Sequence, residues 1–226
     1  MSKAKTTAIG IIILLIVSCL IMYYVENSFN GYLVKSLWKI GAFALLPLIY
    51  SFFDKQLSIK DFFQVASKKQ IIVSLALGAA VYAFIFCGYL TIAGFIDLDK
   101  IAKLLSENVN ISKDNFIFVA LYISFINSLL EEFFFRGCAF LSLKKVIHPI
   151  LAYIISALAF SLYHVAILAN WFSPWMFILI ISGLFIAGLF FNWLDEKSNN
   201  IFNSWLVHMF ANFSINTVGF IMFGII

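Results

Sequence analysis

Seven apolar runs, at 8–24, 37–53, 71–96, 116–143, 150–168, 175–194 and 201–226, set the limits on what this chain folds into. A helix needs roughly 17–25 largely apolar residues to cross the hydrocarbon core of a bilayer. In lipid every backbone N–H and C=O must be satisfied within the spanning structure, so runs of this length become helices. The expected fold is all-α: a polytopic transmembrane helical bundle of about 7–8 helices, with residues 1–226 forming a single integral membrane domain. An eighth element would come from a break in the third or seventh run, where Gly78, Gly88, Gly94 and Gly219 are the places for a kink.

Composition excludes the soluble alternatives. Hydrophobic residues make up 63% and charged residues 12%, against roughly 45–50% and about 25% in soluble domains. The net charge of +4 is spread over loops instead of a stripe, so nucleic acid is not expected as a partner. Cys19, Cys87 and Cys138 all sit inside apolar runs and read as small core residues, not as a disulfide or zinc framework. Lys3 and Lys5 precede the first run as in a signal peptide. Ile21-Met22-Tyr23-Tyr24 offers no small-residue cleavage pattern, so an uncleaved first span is expected.

Loop charges give the orientation. With the N-terminus inside, Lys3, Lys5, Lys55, Lys60, Lys68, Lys69, Lys144, Lys145 and Lys197 are cytoplasmic, while Lys35, Lys39, Lys100, Lys103 and Lys113 are external, nine against five. Basic residues favour the cytoplasmic side. The expectation is a multi-pass protein of the plasma membrane with a cytoplasmic N-terminus, and the Phe, Ile and Lys richness suits a bacterium. Two connectors are patterned as helices. Ser58-Ile59-Lys60-Asp61 resembles a capping box opening a helix over 58–67 along the inner interface, and 100–107 has apolar residues at helical spacing on the outer side.

Ionisable residues inside spans are costly and mark function by default. Here they are Glu131, Glu132 and Arg136 in the fourth run, His164 in the fifth and His208 in the seventh. Helical spacing puts Ser124, Asn127, Ser128 and Glu131 on one stripe, and Ser204, His208, Asn212 and Asn216 on another. Arg136 follows Glu132 at i+4, a pairing distance, which would leave Glu131 unpaired. At 1.5 Å rise per residue, Glu131 lies roughly 18 Å above its cytoplasmic helix end, His164 roughly 21 Å, and His208 and Asn212 roughly 10 and 16 Å. The three helices thus bring their polar groups to comparable depth. His148, beside Pro149 in a lysine-bearing loop, reads as a surface residue, and Phe133, Phe134 and Phe135 as lipid-facing and packing surface. Cys138, seven residues beyond Glu131, falls on nearly the same helical face and is the nearby thiol to weigh as a nucleophile.

Glu131-Glu132-Phe133-Phe134-Phe135-Arg136 resembles the EExxxR signature of the CAAX-protease and bacteriocin-processing family of intramembrane proteases. Phe160-Ser161-Leu162-Tyr163-His164 resembles its FxxxH motif and His208-Met209-Phe210-Ala211-Asn212 its HxxxN motif, all in family order. The resemblance runs from about Ser124 to Asn216, within a family-like catalytic core over about 116–220. It implies a type II CAAX prenyl endopeptidase-like hydrolase acting on a membrane-associated peptide. By the resemblance, Glu131 and His164 activate water, His208 and Asn212 stabilise the oxyanion, and Glu132 and Arg136 brace the site.

Glu131, His164 and His208 would also supply the carboxylate and two imidazoles of a hydrolytic zinc site, though not in HExxH spacing, so a divalent metal is left open. Competing functions are a non-proteolytic bacteriocin-immunity or membrane binding protein, a proton-coupled transporter and, more remotely, a haem carrier using the two histidines. Two polar pathways reaching opposite faces would mark the transporter, and one blind chamber the hydrolase.

Overall fold

The computed structural model describes residues 3–64 and 66–226, which form helices joined by short loops with no strand among them. The helices are α1 (Lys3–Ser28), α2 (Tyr32–Phe53), α3 (Ile59–Phe62), α4 (Lys68–Ile92), α5 (Leu98–Val109), α6 (Phe116–Leu141), α7 (Pro149–Leu168), α8 (Pro174–Ser198) and α9 (Phe202–Met222). Among the described residues seven of these, all but α3 and α5, are long and apolar enough to cross a bilayer. The protein is a multi-pass helical membrane protein.

Local chemistry sets the boundaries. Proline occupies the first turn of α7 and α8, where its missing N–H is no loss. Asn110 and Asn199 close α5 and α8 in the left-handed conformation that ends helices. The capping box lies at Ser67 and Gln70, opening α4. Ser58, where the box was expected, makes no side-chain cap bond, and α3 is a single turn instead of a helix over 58–67. Residue 65 of that stretch lies outside the described residues. Instead of lying along the interface, α3 inserts Phe62 into the bundle, where it is fully buried and its carbonyl accepts from the Ile201 amide at 3.0 Å. The outer-side helix is present as α5, with Asp97 capping the Lys100 amide.

Neither long run breaks into two spans. α4 and α9 are continuous, and the chain leaves α4 through a 3-10 turn, Ala93–Phe95, that contains Gly94. Gly78 serves close approach: a Cβ there would lie 2.6 Å from the Phe210 ring, so α4 and α9 touch at a distance that a side chain would prevent.

The centre of the bundle is the second half of α6, where every residue from 131 to 143 is buried. Phe133, Phe134 and Phe135 are therefore core, not lipid-facing, and Phe134 stacks on Phe43 of α2 at 4.4 Å. The physical reason is position: this π-helical stretch, Glu132–Leu141, is packed round by α1, α2, α3, α7 and α8, so no face of it is left for lipid. Cys138 is buried in the apolar core, as expected of a small core residue. Cys87, expected in the core, is exposed on α4.

The start of α2 also departs from expectation. The helix begins at Tyr32, five residues before the apolar run, and so takes Lys35 into a span together with Lys39, counted with the outer loop although it lies inside the 37–53 run. Both are buried against carboxylates, Lys35 on Glu26 at 2.7 Å and Lys39 on Glu131 at 2.5 Å. Hydropathy treats such lysines as loop residues because it cannot register a partner from another helix.

Candidate active site

The site is assembled on α6 and its neighbours α2, α7 and α9. A first π-helical stretch of α6, Tyr122–Asn127, receives the polar ladder of α9. Asn212 Nδ2 donates to the Ile123 carbonyl, Trp205 Nε1 to the Phe125 carbonyl and Asn216 Nδ2 to the Ala120 carbonyl, each at 3.1 Å. Asn216 Nδ2 also donates to Ser124 Oγ at 3.0 Å, so the two sequence stripes face one another as expected. Interhelical bonds of this kind contribute about 0.6 kcal/mol each on average in membranes. Their larger effect is to set the register that carries His208 to α6.

Glu131 sits at the meeting point. Its Oε1 accepts from Lys39 Nζ at 2.5 Å and from Asn127 Nδ2 at 3.0 Å. Its Oε2 faces His208 Nε2 at 3.7 Å and His164 Nε2 at 4.0 Å. His164 Nδ1 bonds the Phe160 carbonyl at 2.7 Å. A carbonyl only accepts, so Nδ1 carries the hydrogen and Nε2 is the nitrogen left for the Glu131 side. Glu131 is thus not unpaired, as the i+4 argument implied. Its cation comes from a helix 92 residues away.

Glu132 lies behind. Its Oε1 accepts from His208 Nδ1 at 2.7 Å, and its Oε2 lies 3.3 Å from Arg136 Nε. The Glu132–Arg136 pairing is as expected, and the bond to His208 is new. Arg136 is fully buried, its guanidinium 4.1 Å from the Phe160 ring centre and 4.9 Å from that of Phe191, and none of its nitrogens has a hydrogen-bond partner among the described residues. Ion pairing and contact with two aromatic faces hold it in place.

Of the six residues singled out in the sequence, Glu131, Glu132, Arg136, His164 and His208 form one connected cluster. Asn212 stands one turn along α9 from His208, on the Ile123 carbonyl, and makes none of the described bonds to the two glutamates or the imidazoles. Sequence reasoning missed Lys39, whose one signal is that it lies inside the apolar run 37–53, one turn after Lys35. It also missed Asp195, fully buried near the end of α8, which accepts from the Ser204 amide at 3.2 Å and from Ser204 Oγ at 2.7 Å and so caps α9.

The donor set does not suit a metal as arranged. Among the described residues no group of three or more His, Cys, Asp or Glu side chains is placed to hold one. Around Glu131 the Lys39 ammonium takes one carboxylate oxygen, and its charge opposes a dication in the same sphere. No step below is routed through a metal.

Fold and site together define a polytopic helical membrane protein with a buried Glu–His centre. Residues 113–214 match the family model of the type II CAAX prenyl endopeptidases, Rce1-like. The match covers slightly less than half the chain and takes in all three motifs, bearing out the resemblance read from them. It supports a membrane endopeptidase in general. The first five helices, among them α2 with Lys39, lie outside the matched segment. No match is found among curated proteins or among solved structures.

Proposed function

We propose that the protein is an intramembrane endopeptidase that hydrolyses a peptide bond of a membrane-associated substrate with water activated by Glu131 and His164. The observation that carries this is the spacing at Glu131 Oε2, 3.7 and 4.0 Å from two imidazole Nε2 atoms. That is too long for direct hydrogen bonds and near enough for the carboxylate and an imidazole to act on one water. Glu131 Oε2 takes the proton as the water oxygen bonds to the scissile carbonyl carbon, and returns it to the departing amine as the C–N bond breaks. His164 is the most accessible of these groups, with 16% of its side chain exposed against 3% for Glu131, so the substrate approaches from its side.

His208, whose Nδ1 bonds Glu132 Oε1, presents Nε2 on the side where the oxyanion develops. Asn212 has a second Nδ2 hydrogen beyond the one given to Ile123. Arg136 and Glu132 hold His208 in this orientation. The catalytic core is about 116–220 of a single membrane domain, in a bacterial plasma membrane with the N-terminus cytoplasmic. Moving Lys35 and Lys39 into a span leaves nine lysines on the inner side against Lys100, Lys103 and Lys113 outside, which strengthens that orientation.

A non-proteolytic binding or immunity protein is the second reading, favoured by the burial and ion pairing of Glu131. The test is to compare membrane peptides in cells carrying wild-type protein and Glu131→Ala. Substrate accumulating only in the variant supports the peptidase. Identical peptide profiles with the phenotype retained support the binding protein.

A further inference from the structure

We infer that Lys39 is a positioning residue of this site: its ammonium clamps Glu131 by Oε1 and so turns Oε2 toward the two imidazoles. The inference rests on the peptidase reading above and concerns a residue outside all three motifs and outside the family-matched segment.

A lysine inside a span is expensive and persists only with partners. Lys39 has them from two other helices. Nζ bonds Glu131 Oε1 at 2.5 Å and Asn127 Oδ1, both on α6, and lies over the Tyr163 ring of α7 at 4.8 Å. Its own helix adds the Phe43 ring at 5.6 Å, and Phe43 in turn stacks on Phe134 of α6. Asn127 closes the triangle, donating from Nδ2 to the same Oε1 that Lys39 holds. Two donors on one oxygen fix the plane of a carboxylate that would otherwise rotate about its side-chain torsions. With Oε1 held on one side, Oε2 is the oxygen left to face His164 and His208. Each of the adjacent glutamates thus has its own cation, Arg136 for Glu132 and Lys39 for Glu131, from opposite sides.

Lys35 provides the internal control. It lies one turn earlier on α2 and is similarly buried in an ion pair, but its partner is Glu26 of α1, away from the site. Loss of either lysine removes a buried ammonium, and only loss of Lys39 frees Glu131.

The test uses the full chain in reconstituted membranes with one reporter peptide, reading kcat, KM and thermal stability for wild type, Glu131→Gln, Lys39→Met, Lys39→Arg and Lys35→Met. Lys39→Met is expected to lower kcat about 10²-fold, the scale of a misplaced reacting group, with KM within a few-fold. Lys39→Arg is expected to recover part of the loss, and Lys35→Met to keep kcat within a few-fold of wild type. Lys39→Cys treated with 2-bromoethylamine, which rebuilds a side chain of lysine length, covers the case in which Lys39→Met does not fold. Its kcat is expected to rise on treatment while treated wild type stays unchanged. Wild-type kcat in Lys39→Met, equal losses in Lys39→Met and Lys35→Met, or a refolded treated variant that stays inert overturns the inference. A wild type as inert as Glu131→Gln overturns the peptidase reading itself and the inference with it.

Discussion

The two ends of the polar cluster are built on opposite plans, although they are anchored by adjacent residues. Around Glu131, four helices contribute Lys39, Asn127, His164 and His208, one carboxylate oxygen faces groups it does not directly bond, and the rim at His164 is partly open. Around Glu132, Arg136 and Asp195 all side chains are sealed, and the guanidinium is enclosed by two aromatic rings. Under the proposed peptidase reading, the difference separates the end that reacts from the end that braces it. A reacting centre needs an acceptor with room for water beside it, whereas a brace needs burial and fixed neighbours.

The largest effect expected from breaking this contrast is at Glu131. Glutamine keeps the shape and the Lys39 contact but cannot take a proton from water, so Glu131→Gln should lower the cleavage rate by about 10²–10⁴-fold while the protein stays folded and inserted. Single-turnover cleavage of a reporter peptide in membranes checks it. Cys138→Ala is the companion measurement, because that thiol lies in the apolar core; full activity there excludes a thiol nucleophile.

At the sealed end the expected effect is on stability. Arg136→Ala leaves the Glu132 charge buried with only His208 beside it, and removing one partner of a buried pair typically costs about 3–5 kcal/mol. Thermal unfolding in detergent reads this directly. Replacing both partners with Glu132→Gln and Arg136→Met should recover much of the stability, since apolar or neutral substitutes for a whole buried pair are often tolerated. Activity should stay low, because His208 Nδ1 then has no carboxylate. A stable but inactive Arg136→Ala would instead place Arg136 in the chemistry.

The two ends also differ in how far the sequence discloses them. The seven spans, the Glu132–Arg136 pair and the facing stripes of α6 and α9 follow from periodicity, because each depends on residues within a few turns of one helix. The convergence of Glu131, His164 and His208 was legible as matched depth. Lys39 was not, because its partner is 92 residues away and its position at the edge of an apolar run imitates a loop. The burial of Phe133, Phe134 and Phe135 was hidden as well, because it depends on five other helices packing round this half of α6, which the pattern within one helix does not register.

A smaller effect is expected at Asp195, which supports the sealed end from α8. It accepts both the Ser204 amide and hydroxyl at the first turn of α9, the helix that carries His208. Loss of a helix cap costs about 0.5–2 kcal/mol, so Asp195→Ala should lower thermal stability by that order. If activity falls further than the folded fraction does, the cap also sets the position of His208.

The smallest effect belongs to the ion pair that resembles Glu132–Arg136 in chemistry but not in surroundings. Lys145, just beyond α6, lies 3.3 Å from Asp61 of α3, as close as Arg136 Nε is to Glu132, yet both side chains are more than two-fifths exposed. Water solvates each charge when the other is removed, salt screens the attraction, and ordering two mobile side chains offsets much of what remains, so such pairs contribute about 0–1 kcal/mol. What keeps α3 in place is the burial of Phe62 against Gly137, where a Cβ would come within 2.8 Å of the ring. Lys145→Ala should therefore leave thermal stability almost unchanged, and any small loss should vanish in high salt. Gly137→Ala should destabilise more than Lys145→Ala in the same assay. A larger loss from Lys145→Ala would mean that α3 is held by charge and not by packing, and the contrast between sealed and open ion pairs would fail as a guide to this fold.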